Sequence, residues 1–331
     1  GRSRSGRSGP ADDGGRPAAR GGRPSPAIPG VGPMKLPSAN VLVQVVMVGI
    51  LTGGVYALMV SGLTLIFGVM RVINVAHGAF LILGAYLSYW LFTLRGLDPA
   101  VSVLLTAPLF FVIGSGVQRL LLARVRQDPG LMVLVTFALA IVLAGAMGAA
   151  WESTFRSVRT GYTGEVVRLH LGAMAVRLPV VRLVGFAAAL VVLGSLSFLL
   201  ARTDLGRGIR ATIQNPVAAQ LVGVNVARVR AATFGLGLAT VAAGGAAFSL
   251  IWSFNAASHE EWISKMLSII VLGGMGSLPG ALLAAILMGV LEAVAAVTVT
   301  TYLSPIVFYL VLFVTLIVRP QGIMGTRIRE G

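Results

Sequence analysis

The sequence predicts an all-α polytopic membrane protein with about eight to ten transmembrane or re-entrant helices and one short cytoplasmic helix. Three observations carry this. Of the 331 residues, 56% are hydrophobic and only 11% charged, where a soluble domain is about one-quarter charged. Runs of roughly 20 residues lack any charge, as in "LMVLVTFALAIVLAGAMGAA" (131–150), long enough to cross the hydrocarbon of a bilayer as a helix. The short alternating segments of a membrane β-barrel do not occur.

In chain order, residues 1–38 read as a basic arm of Gly, Arg, Pro and Ser, with almost nothing to bury and no apolar stretch of a signal peptide. Met34 is a candidate start, the arm then being translated upstream sequence; an arm that binds anionic lipid is the other reading. The membrane domain spans 39–320, followed by a short tail at 321–331. Its apolar segments run approximately 41–62, 79–94, 101–122, 131–150, 180–201, 231–252, 266–299 and 304–318.

The net charge of +15 does not indicate nucleic acid, because the basic residues fall in the arm and in the links between apolar segments. By the positive-inside rule the links 123–130 and 202–230 are cytoplasmic, and 151–179 is external although it carries Arg156, Arg159, Arg168 and Arg177. Eight simple crossings would then leave both termini outside, against Arg319, Arg327 and Arg329 in the tail. The 266–299 segment exceeds one crossing, and "GGMGSLPG" (273–280) interrupts it, so a helix break there supplies another crossing or a re-entrant turn. There are no cysteines, which excludes disulfides and thiolate metal sites.

The 202–230 link contains "GRGIRATIQNPVAAQLVGV" (206–224). Asn215 is a favourable N-cap and Pro216 suits the first helical position. The following residues make barely two turns, which Gly223 can close in the left-handed conformation. A helix this short needs a surface to lie on, and Ala218 and Ala219 permit close approach. Arg207 and Arg210 can pair with acidic groups of a partner or with lipid phosphates. An ordinary capped loop helix is the plainer reading of the same residues.

The stretch "GRGIRATIQNPVAAQLVGVNVARVRAATFGLG" resembles the cytoplasmic coupling loop of branched-chain amino-acid ABC-transporter permeases. "GLTLIFGVMRVINVAHGAFLILGAYL" (62–87), "VLGGMGSLPGALLAAILMGVLEA" and "VRPQGIMG" resemble the same family, most closely the first of its two permease subunits. The resemblance implies a second homologous permease subunit, two cytoplasmic ABC ATPases that carry ATP and Mg²⁺, an extracytoplasmic substrate-binding protein, and the bacterial cytoplasmic (inner) membrane. It implies no cofactor on this chain. Where the general coupling motif has Glu-Ala-Ala, this chain reads Val217-Ala218-Ala219, so a glutamate contact does not transfer. No phosphate loop of the G-x-x-x-x-G-K-[ST] type occurs, so ATP hydrolysis by that route belongs to another subunit.

Candidate translocation-path residues follow from polar groups at membrane depth, which are costly and often line a pathway. They are Asn74 and His77 in "NVAHG", Glu292 in "LMGVLEAVAAV", and Gly273, Gly274, Gly276 and Pro279 at the break. Each has a structural reading beside it. Asn74 can cap the following helix with His77 at the interface, Glu292 can hydrogen-bond between helices, and the glycines can serve close packing. Glu260 and Glu261 fall in an expected external loop. A lone histidine without a nearby carboxylate or cysteine gives no metal site. Three rivals stay in view: an importer of urea or short amides, a stand-alone secondary transporter or channel needing several intramembrane charges, and an intramembrane enzyme, for which no nucleophile–base pair is evident.

Overall fold

The structure is a computed structural model of the chain, described over residues 38–125, 128–171, 174–298 and 304–325. The residues 1–37 of the arm and Arg327 and Arg329 lie outside the described residues. Polar caps start several helices, each an Asp, Asn or Thr whose side-chain oxygen takes a first-turn amide that would otherwise be unpaired. Asp98 caps α3 (Pro99–Leu120) through Ala100 N at 2.9 Å, and Asp128 caps α4 (Pro129–Trp151) through Gly130 N at 2.7 Å. Before them run α1 (Ala39–Met70) and α2 (His77–Arg95). A β-hairpin, β1 (Val166–Leu171) with β2 (Met174–Pro179), leads into α5 (Val180–Arg202).

The 202–230 link holds two helices rather than one. Thr203 caps α6 (Asp204–Gln214), and Asn215 caps α7 (Pro216–Leu221) by accepting from Val217 N and Ala218 N at 3.0 Å. Asn225 then caps α8 (Val226–Ile251). The remaining helices are α9 (Ser258–Gly273), α10 (Leu278–Thr298) and α11 (Ile306–Val318). Among the described residues, seven helices are long and apolar enough to cross a membrane. The shorter α9 packs on α10, α2 and α1, and the short apolar α11 packs on α9 and α10.

Three differences from the sequence reading have physical causes. The first apolar segment runs on to Met70 because Gly62 is a packing position and not a break: a Cβ there would lie 2.8 Å from Gly237 Cα on α8. The 266–299 segment divides at Gly274–Ser277, where Gly274 and Gly276 take φ of 98° and 86°, values that favour glycine. Helix α9 begins before its apolar part, so Glu260 and Glu261 stand in its first turn and not in a loop.

The two ends of the bundle are distinct. At one end Ile213 of α6 and Gly276 both pack against Gly68 near the end of α1. The turn after α11 reaches the same end, with Ile323 N and Met324 N donating to Leu272 O and Gly273 O at 2.7 and 3.1 Å. At the other end Val176 and Leu178 of the hairpin pack on Val43, Met47 and Leu51 at the start of α1. The turn at 319–325 thus shares an end with the 202–230 link and the hairpin lies at the other; they are named the cytoplasmic and external ends after the sidedness expected from the arginines of that link. The break in 266–299 brings Arg319 and the turn after α11 to the end that carries the 202–230 link.

The core is built on α1 and α8. Helices α1, α2, α3 and α5 pack on α8, while α10 packs along α1. Small residues let these backbones touch, the mode by which helices associate in lipid. A Cβ on Gly84 would lie 2.7 Å from Ala242 Cα, and one on Gly114 would lie 2.9 Å from Gly235 Cα.

Candidate translocation site and coupling surface

A stripe of α1 at four-residue spacing, Gln44, Val48, Thr52 and Tyr56, faces a stripe of α10 made by Gly289, Glu292, Ala293 and Ala296. Between them lies a cavity of about 320 Å³. Steps of three and four keep side chains on one helix face, and the packing of α1 against α10 brings the two rows together. Burial deepens along α1, from half-buried Gln44 and Val48 to buried Thr52 and Tyr56. The mouth is therefore at the hairpin end of the bundle and the floor is at Tyr56. Arg182, from the first turn of α5, and Trp252 complete the wall.

Glu292 finds its donors here. The Tyr56 hydroxyl donates to Glu292 Oε2 at 2.5 Å, and Lys265 Nζ stands 3.5 Å from Oε1. Lys265 is closer to Glu261, at 2.9 Å, four residues earlier on α9. Its ammonium also lies over the Trp262 ring at 4.5 Å and the Phe308 ring at 5.4 Å, an arrangement attractive through the ring quadrupole. Trp252 stacks on Tyr56 at 5.7 Å and 14°. The Lys265 side chain is only 6% exposed, so its two carboxylates and two rings together offset the cost of burying a cation. One turn away on α1, Thr52 Oγ1 accepts from the Arg182 guanidinium.

The other path candidates are not brought to this cavity. His77 is fully buried, its Nε2 donating to Met59 O at 3.1 Å, and Nδ1 has no partner. Asn74 does not cap α2 through its side chain. Both of its side-chain polar atoms are buried without a partner, and its backbone carbonyl closes the first turn by accepting from His77 N. His77 thus sits inside the bundle and not at an interface. Gly273, Gly274, Gly276 and Pro279 lie at the cytoplasmic end, where the carbonyls of Leu272 and Gly273 are already taken by the turn after α11.

Arg182, Lys265, Tyr56 and Trp252 were missed in the sequence. The Glu261–Lys265 spacing of four was the one local signal available. Among the described residues no group of three or more His, Asp and Glu could hold a metal ion.

The second surface is at the cytoplasmic end. Leu205, Ile209 and Ile213 of α6 pack on Leu65, Val69, Leu196 and Val229. Ala219 is the buried residue of α7, whereas Ala218 is exposed. Val217, Leu221 and Val222 are 64%, 84% and 78% exposed, an apolar face left uncovered by this chain. Gly223 takes φ 87°, which reverses the chain after α7. Arg207 pairs with Asp204 on its own helix, and Arg210 donates to Leu200 O, yet both remain exposed. A groove of about 600 Å³ runs between α6 and the turn into α8, bordered by Arg207, Gly223 and Arg228.

A multi-pass helical bundle, with a polar cavity open at one end and an uncovered apolar helix at the other, defines a membrane transport subunit. The sequence model of the family described as "Branched-chain amino acid transport system / permease component" matches residues 45–318, and the chain belongs to that family. It is 28% identical over 287 residues to the high-affinity branched-chain amino acid transport system permease protein BraD of Pseudomonas aeruginosa, covering 84% of this chain and 94% of the relative. It is 27% identical over 289 residues to the corresponding permease protein LivH of Escherichia coli, covering 84% and 93%. A probable branched-chain amino acid transport permease protein LivH of Methanocaldococcus jannaschii is 24% identical over 293 residues, covering 83% and 90%. No solved structure matches.

Proposed function

We propose that this chain is a permease subunit of an ATP-driven importer that carries branched-chain or other apolar amino acids across a bacterial inner membrane. It works there with a second homologous permease subunit, two cytoplasmic ATPases that bind ATP and Mg²⁺, and an extracytoplasmic binding protein. The observation that carries the reading is the α7 face. Val217, Leu221 and Val222 are held out of the bundle by an N-cap at Asn215 and a left-handed reversal at Gly223. An exposed apolar patch of this kind marks an interaction surface, and the family supplies the partner class. Arg207 and Arg210 flank the surface and are available to acidic groups of the ATPase or to lipid phosphates. Docking of the ATPase against α7 and into the groove beside α6 transmits its closure to the bundle, which alternates its opening.

The test is recovery of partners from the native membrane in mild detergent, with the chain tagged at its C-terminus. The intact chain is expected to bring an ATPase and a second permease. Leu221→Asp with Val222→Asp, or Gly223→Ile, is expected to lose the ATPase while the chain still inserts. A chain that purifies alone and moves solute without ATP would overturn the importer reading in favour of a stand-alone transporter. Uptake of urea rather than leucine by the assembled complex would assign the other cargo.

A further inference from the structure

The cavity between α1, α5 and α10 holds opposite charges in its lining. Arg182 is tied to Thr52 and Glu292 to Tyr56, so both are anchored to α1, four residues apart. Side chains four residues apart on a helix are neighbours at about 5–6 Å. The two charges are nevertheless not paired with each other: among the described residues no ion pair joins Arg182 to an acid, and its side chain makes a single hydrogen bond. A cation and an anion held at adjacent turns without contact leave room for a small dipole between them.

We propose that this cavity is a zwitterion-selective site, in which Arg182 takes the α-carboxylate and Glu292 the α-ammonium of an amino acid whose aliphatic side chain lies along Trp252, Ala293 and Ala296. The proposal rests on the importer reading and adds to it a specificity device inside the membrane subunit. In an amino acid the ammonium nitrogen and carboxyl carbon are about 2.5 Å apart by standard bond lengths and angles, and each end can take a charge-assisted hydrogen bond of about 2.8 Å. A volume of about 320 Å³ suits a small ligand; Val45, Val48, Gly289 and Val297 add apolar or small surface to the lining, and Gln44 and Ser304 add polar groups. Guanidinium presents a planar fork that matches a carboxylate.

Lys265 would weaken an ammonium site if it neutralised Glu292. It stands 3.5 Å from Glu292 and 2.9 Å from Glu261, so one ammonium is shared between two carboxylates. Glu292 keeps negative character toward the cavity, where its side chain is 17% exposed. Urea and short amides carry neither charge and leave both walls unmatched. The site therefore discriminates between the two cargoes that the sequence leaves open.

The chain has no cysteine, so Ala296→Cys introduces a single thiol on the cavity wall. The experiment uses the complete transporter in nanodiscs and follows the rate of thiol modification by a methanethiosulfonate reagent. Leucine held at about ten times its Kd is expected to slow the reaction about tenfold. Urea, isopentylamine and 4-methylpentanoate, which lack one or both charges, are expected to leave it unchanged at equal concentration. In the Arg182→Gln or Glu292→Gln background the leucine concentration needed is expected to rise about ten- to hundredfold, with part of the affinity kept by Arg182→Lys. ATP hydrolysis stimulated by the substrate-loaded binding protein is measured on the same samples and reports assembly. Absence of that stimulation in the unsubstituted complex would defeat the importer reading and leave protection by leucine to judge the cavity alone. Equal protection by urea, no protection by leucine, or full protection in both charge variants of an assembled complex would overturn the zwitterion site.

Discussion

Replacing Gly53 with alanine places a methyl carbon 2.6 Å from Ile286 Cα and 2.9 Å from the Ala285 carbonyl oxygen. Carbon atoms in good contact sit about 3.5–4.0 Å apart, so α1 and α10 must separate by roughly 1 Å. The obstructing atoms are backbone, and no truncation of a side chain on α10 can relieve them. Gly49 on α1 and Gly289 on α10 meet the same condition from either side, with Cβ positions 2.6 Å from Val290 Cα and 2.7 Å from Gly53 Cα. Overpacking of this kind costs about 1–3 kcal/mol. The same separation would stretch the 2.5 Å Tyr56–Glu292 hydrogen bond to the limit of a useful one. Gly145 is the control: a Cβ there meets nothing within 4 Å, and alanine is the better helix former by about 1 kcal/mol. Thermal unfolding in detergent, followed by tryptophan emission, is expected to show Gly53→Ala melting well below the parent and Gly145→Ala at or above it. Trp252 and Trp262 lie beside Tyr56, so their emission reports the affected region. A Gly53→Ala protein that melts with the parent would refute the backbone contact between α1 and α10.

Asn74→Leu removes two buried polar atoms that have no partner and is expected to stabilise the fold by about 1–2 kcal/mol. If Asn74 serves the path, uptake falls despite the gain; unchanged uptake in a stabilised protein removes it from the candidates. Tyr162 in the external loop donates to Asp98 Oδ2 at 2.8 Å, and burial, reinforced by that hydrogen bond, pushes its phenol up to about 12. The neutral phenol is favoured in the folded state, so its contribution is complete below the ordinary tyrosine value of about 10 and is lost as pH rises through the folded value. Tyrosinate absorbance is expected to show one group titrating near the upper end of that window, absent in Tyr162→Phe.

The helices were legible because their signals are local. Asp98-Pro99, Asp128-Pro129 and Asn215-Pro216 each combine a capping side chain with the residue that tolerates the first helical position, and the structure starts a helix at each. The α9–α10 break was legible from its glycines. Helix α6 was missed because Gly206 and Gly208 dilute its periodicity, although Thr203 and the spacing of Leu205, Ile209 and Ile213 mark it. The hairpin was missed because "VVRLHL" and "MAVRLP" alternate only over six residues each, in a link already assigned to a loop. The cavity could not have been read at all from spacing. Tyr56 and Glu292 are separated by 236 positions and Thr52 and Arg182 by 130. Glu292 alone announced itself, because a carboxylate in an apolar run is conspicuous, whereas Arg182 lies at a segment edge where arginines are ordinary.

The packing also decides which parts of the bundle can move when α7 is pushed. Helix α6 rests on α1, α5 and α8 through Leu65, Leu196 and Val229. Backbone contacts fix α1 to α8 at Gly62 and Gly237 and to α10 at Gly49, Gly53 and Gly289. Helices packed this closely cannot slide without first separating, so α1, α8 and α10 respond as one body. Helix α5 is held more loosely: a Cβ on its Gly185 would meet side chains first, Ile251 Cδ1 at 3.2 Å and Val55 Cγ2 at 3.4 Å, with the nearest backbone atom, Ala247 O, at an ordinary contact of 3.9 Å. Motion of α5 against that body carries Arg182 away from Glu292 and takes the cavity apart. Spin labels on the cysteine-free chain test this. A pair at Leu190 and Leu287, exposed on α5 and α10, is expected to change separation when ATP is added to the complex. A pair at Ile50 and Leu287, exposed on α1 and α10, is expected to stay fixed. The reverse result, a fixed α5 and a moving α1, would show that backbone contact does not set the rigid body and that the cavity opens by parting Tyr56 from Glu292.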